Sequence, residues 1–178
     1  MAEAIPGAGQ PSPRLRNLAL TGAAPPPHTE AELERLLTMV RRDLRNGTTV
    51  SIGHSRHANS VAAADAFAAA WRARGFQVSA VVDWPEDAAS WLRQARRLTA
   101  GAPDAWVVAG GVAGFVQLSR RLVHSTDWTA RRTFAFGSLT DSRCAVLAGA
   151  RVLDGLRGAT RDGNGWAVRG GEVVLGAG

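Results

Sequence analysis

Ala102-Pro103-Asp104-Ala105-Trp106-Val107-Val108-Ala109-Gly110-Gly111 decides the fold. Pro103-Asp104 marks a turn. The five residues that follow are apolar at every position, so both faces of the strand they form must be covered. A run without polar alternation belongs in the middle of a parallel sheet. Gly110-Gly111 ends the strand, and Gly114 to Val123 has helical spacing. This unit is strand, glycine turn, helix.

The same unit repeats on both sides. Upstream, Thr48-Thr49-Val50-Ser51-Ile52-Gly53 is a β-branched strand. His54 to Asn59 is expected to be a loop, and Ser60 to Arg74 an alanine-rich helix carrying Val61, Phe67 and Trp71, stopped by Gly75. Phe76 to Val82 is a second strand. Pro85, Glu86 and Asp87 open the next helix, since proline suits a first turn and acids suit its dipole. Trp91, Leu92, Ala95 and Leu98 line one side of that helix, which ends at Gly101.

Downstream, Arg132 to Phe136 is a fourth strand and about Asp141 to Leu156 a helix. Gly165 to Leu175 reads as a terminal hairpin turning at Gly170-Gly171. Before the first strand, Thr29 and Glu32 form a capping box for a helix bearing Leu33, Leu36, Leu37 and Val40, closed by Asn46-Gly47. Residues 1–29, with Pro6, Pro11, Pro13 and Pro25-Pro26-Pro27, read as a disordered tail, leaving 30–178 as one domain. Its core is the strand–helix repeat of 48–139. Strands and helices in alternation form a three-layer α/β/α sandwich with a mostly parallel sheet.

Composition limits the function. The 178 residues are 46% hydrophobic, enough for a core. All 21 basic residues are arginine and the net charge is +6. The arginines fall on helix faces, as in Arg93, Arg96 and Arg97, which fits solvated surfaces better than a nucleic-acid site. Cys144 is the single cysteine, so an internal disulfide is excluded. His28, His54, His57 and His124 show no metal-ligand spacing, and no cofactor motif is evident. The N-terminus lacks the apolar core of a secretion signal, and no stretch is long enough for a membrane helix. As written, the chain is expected to be cytoplasmic.

In such sheets ligands bind beyond the carboxyl ends of the strands. Three features there are candidates. Gly53-His54-Ser55-Arg56-His57 stands where a hydrolase nucleophile elbow would, although that pattern wants glycine in place of His57. The alternative is a polar loop whose Ser55 and Asn59 cap the next helix. Gly110 to Gly114 presents bare amides at a helix start, suited either to a carboxylate or phosphate or to a tight turn alone. Asp83, Glu86 and Asp87 suggest paired carboxylates, but helix capping explains all three. Trp84 sits at a strand end, lining a cleft or closing the core edge.

The order of these pieces resembles the type 1 periplasmic substrate-binding fold, and within it the leucine and branched-chain amino acid receptors of ABC transporters. The resemblance runs through Val50-Ser51-Ile52-Gly53, Ala64-Asp65-Ala66-Phe67 and Arg74-Gly75-Phe76-Gln77-Val78. It continues through Asp87-Ala88-Ala89-Ser90-Trp91, the Pro103–Gly111 segment and Phe134-Ala135-Phe136-Gly137. It covers about half the chain and one lobe of a two-lobed receptor. It implies a non-catalytic solute-binding or sensory module for amino acids or similar small polar solutes. A second lobe, a homodimer mate or a transporter would be its partner. The ligand positions it implies are Ser55, His57, Asn59, Trp84, Gly111, Val112 and Ser138. Two other functions stay open on the residues themselves, a small α/β hydrolase using Ser55 and a protein-interaction domain.

Overall fold

A computed structural model describes residues 23–45, 47, 49–149 and 151–176. The expected tail over residues 1–22 and the Asn46 stop lie outside the described residues. In chain order the elements are α1 (Glu30–Leu44), β1 (Thr49–Ser55), α2 (Ala58–Ala73), β2 (Gln77–Trp84), α3 (Leu92–Thr99), β3 (Ala105–Ala109) and α4 (Val112–Ser125). Then come β4 (Thr133–Ala135), α5 (Ser142–Ala148), β5 (Arg157–Ala159), β6 (Gly165–Arg169) and β7 (Glu172–Leu175). The strands form one sheet in the order β2-β1-β3-β4-β5-β6-β7. β1 to β5 are mutually parallel, and β6 and β7 add in antiparallel fashion.

Both faces are covered. Leu36, Leu37 and Val40 of α1 and Phe67 and Trp71 of α2 pack on Val50, Ile52, Val107 and Phe134. Leu98 of α3, Phe115 and Leu122 of α4 and Cys144 of α5 close the other face with Trp84, Trp106 and Trp166. β3 is buried at every position, as its apolar run requires. β2 alternates exposed and half-buried residues along most of its length, as an edge strand does. The capping box forms: Glu32 N donates to Thr29 Oγ1 at 3.2 Å, and Thr29 N to Glu32 Oε2 at 3.3 Å.

Several boundaries differ from expectation. β1 continues through His54 and Ser55, which pair with Asp83 and Trp84 of a longer β2. α3 starts at Leu92 rather than at Pro85, and Glu86 lies in the segment before it. The helix expected to reach Leu156 stops at Ala148, where Gly149 takes φ 105°. Leu153 and Leu156 are still buried, from a turn that feeds β5. Within residues 23–29, assigned by composition to the tail, Pro25 is buried and His28 and Thr29 are half-buried.

Candidate functional site

The sheet order places the crevice. β1 sits between β2 and β3, so the crossovers leaving β1 and β3 run to opposite sides. The loops at their carboxyl ends part, and the gap between them is where ligands enter doubly wound sheets. Arg56 and His57 form one lip and Gly110 and Gly111 the other.

Ser55 lies beneath the lip. It is completely buried and its hydroxyl donates to Ser60 Oγ at 2.8 Å. It therefore neither caps α2 nor stands exposed as a nucleophile. His57 is the N-cap residue of α2 and makes no side-chain cap. Asn59, the other expected cap, donates from Nδ2 to Pro25 O at 2.8 Å. Arg56 Nε donates to Asp83 Oδ2 at 2.7 Å, and this guanidinium holds the Asp83 carboxyl below its ordinary range.

Glu86 crosses the crevice. Its Oε2 accepts from Gly114 N at 2.8 Å, in the first turn of α4. The anion place offered by the glycine-rich turn is thus filled by a carboxylate of the chain itself. The glycines make room for it: a Cβ on Gly111 would lie 2.9 Å from Glu86 Oε1, and one on Gly114 would lie 3.0 Å from Oε2. His57 Nε2 stands 3.6 Å from Glu86 Oε1. That is too long for a hydrogen bond and close enough for an ion pair when the imidazole is protonated.

Trp84 closes the floor. It is fully buried, with its ring over Gly53, Gly110 and Gly114. It belongs to the core, and its Nε1 edge faces the underside of the crevice at Gly114. Val112 is half-buried against the same core. Trp84 Nε1, His57 Nε2 and Glu86 Oε1 are buried polar atoms without a hydrogen-bond partner. Buried polar atoms are nearly always paired, so three around one small space call for an explanation.

The β3–β4 side is closed by other groups. Ser138 Oγ donates to Gly110 O at 2.9 Å. Gly137 N donates to Glu32 Oε1 at 2.5 Å, so Glu32 serves both its own helix cap and this loop. Pro25, His28, Asn59, Phe136 and Ser138 surround a space of only about 10 Å³, and His28 meets the Phe136 ring edge-on at 6.0 Å. The structure therefore gathers His57, Trp84 and Gly111 around Glu86 and packs Val112 on the core beneath. It places Asn59 and Ser138 beside the Pro25 segment and leaves Ser55 underneath. Glu32 and Glu86 were not singled out as site residues from the sequence. The signal for Glu86 was the bare amides of Gly111 to Gly114, which need an acceptor.

Burial pushes the Glu32 carboxyl above its ordinary 4.5, outweighing the amides of Gly137 and Thr29 that favour its anion. The folded state therefore holds this proton more tightly than the unfolded chain. The stability this gives is complete below the unfolded value and is lost as pH rises through the folded one. The urea midpoint of the wild type minus that of Glu32→Gln is expected to fall between pH 4 and pH 7. A difference that rises over that range contradicts the assignment. Cys144 is buried and its thiol is pushed up to about 12, so it holds its proton at neutral pH. Among the described residues no three His, Cys, Asp or Glu side chains converge on a metal-sized space, and no helix is long and apolar enough to cross a membrane.

No family model and no curated protein matches the sequence. Solved structures match the fold. A leucine-binding protein from Thermotoga maritima superposes with a TM-score of 0.59 at 16% identity, over 71% of this chain and 36% of its own. A substrate-binding periplasmic protein from Ralstonia solanacearum gives 0.62 at 14%, over 76% and 38%. An extracellular ligand-binding receptor from Rhodopseudomonas palustris gives 0.60 at 17%, over 72% and 34%. The chain spans about a third of the length of these receptors. Its fold is that of one lobe of the periplasmic-binding-protein architecture.

Proposed function

We propose that this chain is a non-catalytic binding module, one lobe of a clamshell, whose carboxyl-end face takes a small polar solute bearing an amino group. The observation that carries this reading is the cluster of three buried polar atoms without a hydrogen-bond partner at the switch point: His57 Nε2, Glu86 Oε1 and Trp84 Nε1. Glu86 keeps one oxygen for a ligand while the other is tied to Gly114. An ammonium group is the natural partner for that oxygen, because a charge-assisted bond to a half-buried carboxylate is among the stronger ones. Pro25 to His28 cover the neighbouring space, so the bulk of the solute lies outside the lobe, against whatever closes over it. A second lobe, a second copy of the chain or a transporter subunit fits that role. The reading is supported by a leucine-binding protein and a ligand-binding receptor of the same architecture. The buried Ser55 hydroxyl, donated to Ser60, works against hydrolysis.

A thermal-shift panel of amino acids and related amines on the full chain tests it. A ligand at 100 times its Kd adds about 2.7 kcal/mol. For a chain of this size that raises Tm by about 5–10 °C. Glu86→Gln is expected to remove the shift. A flat response across the panel overturns the solute reading and favours a protein partner on this face.

A further inference from the structure

The other end of the sheet carries a second site. At the amino-terminal ends of β4 and β5, beside the end of α1 and of β6, a cavity of about 360 Å³ is lined by Arg42, Arg131, Arg157, Arg169, Asp154 and Met39 among others. That volume lies within the range of small-ligand pockets, roughly 300–1,000 Å³. We propose that this cavity binds a small anion of two or more charges, of the phosphate-ester or diphosphate class.

The charge balance favours an anion. Four guanidinium groups face two nearby carboxylates, and both carboxylates are already engaged. Asp154 Oδ2 pairs with Arg131 at 3.4 Å, and its Oδ1 accepts from Gly170 N at 3.0 Å. Asp43 pairs with Arg157 and, at 3.5 Å, with Arg42. Two positive charges remain over one concave surface. An isolated ammonium-type charge would be satisfied by water, but guanidinium forks gathered around one cavity can match phosphate oxygens two at a time.

Arg157 is held in place for this. Its guanidinium stacks 4.7 Å from the centre of the Phe134 ring, and Nη2 donates to Arg131 O at 3.0 Å. Its Nε is buried and has no partner. A planar cation locked against an aromatic ring loses little conformational freedom on taking a ligand. The +6 charge of the chain, carried by arginine alone, supplies an attractive field. The site is at the opposite end of the strands from the switch-point crevice, so it stands or falls separately from the solute reading.

Isothermal titration of the full chain with inorganic pyrophosphate, citrate and acetate is the test. The expected result is saturable binding of one pyrophosphate per chain, weakened by added salt, and no binding of acetate. Arg42→Gln and Arg169→Gln, both on exposed side chains, should each weaken pyrophosphate about tenfold. Arg120→Gln, on α4 and outside the cavity, should leave it unchanged. Arg157→Gln should abolish it; if that variant does not fold, the Arg42 and Arg169 variants decide the matter. Binding of citrate without pyrophosphate, no saturable binding, or an equal loss in Arg120→Gln overturns the proposal.

Discussion

Gly158→Ala is expected to leave the chain unable to hold its native sheet. Gly158 is the middle residue of β5, paired with Ala135 of β4 on one side and Trp166 of β6 on the other. A Cβ there would lie 1.8 Å from Ala135 O and 2.8 Å from Trp166 Nε1. The first of these is backbone, which cannot rotate aside. Relief requires β4 and β5 to part. That would break the pairing that, among the described residues, joins β5, β6 and β7 to the rest of the sheet. It would also unseat Trp166, which is fully buried and donates from Nε1 to Ala159 O at 3.2 Å. The loss is on the order of 4 kcal/mol or more, the range reserved for a broken core. Total stability is about 5–15 kcal/mol, so a variant with so small a remainder should show a partly unfolded far-UV spectrum at 25 °C. A Gly158→Ala protein with the wild-type urea midpoint would mean that β5 does not sit where it is placed.

β5 also marks the limit of what the sequence discloses. Arg157-Gly158-Ala159 has neither alternation nor an apolar run, and it is only three residues long. It is a strand because the main chain of β4 comes close enough to pair with it, which a pattern of side chains does not encode. The buried core strand β3 was legible because all five of its residues are apolar. β1 was legible only in part. Its last two residues, His54-Ser55, resemble a loop, yet they extend the strand beside Asp83 and Trp84, and the missing side chain of Gly53 leaves room for the Trp84 ring, 2.6 Å from where a Cβ would be. The candidate site divides in the same way. Its location followed from the strand–helix alternation, which fixes the carboxyl ends of the strands. Its occupants did not, because Glu32 reaches Gly137 across 105 residues and Glu86 reaches Gly114 across 28. A helix-capping reading of Glu86 used only its near neighbours, and the tertiary partner won.

Trp84→Ala is the prediction that connects the fold with the site. The ring is fully buried and occupies the space above three glycines, 2.6 Å from the Cβ position of Gly53, 2.8 Å from that of Gly110 and 2.9 Å from that of Gly114. It also packs beside Phe115, with ring centres 6.4 Å apart. Truncation leaves a cavity that the neighbours cannot fill, since three of them have no side chain to move. A tryptophan removed from a core costs about 3–5 kcal/mol, and the rigid surroundings put this case toward the upper end. The same cavity would undercut the turn whose amide holds Glu86. Trp84→Phe is expected to cost much less, because it keeps most of the apolar filling and removes an indole N–H that has no partner in the fold. Urea titrations followed by far-UV circular dichroism separate the two variants. If Trp84→Ala unfolds within about 1 kcal/mol of the wild type, the ring is not the support of the crevice. If Trp84→Phe matches the wild type in stability but loses the amine-dependent thermal shift, the indole N–H is assigned to the ligand rather than to the core.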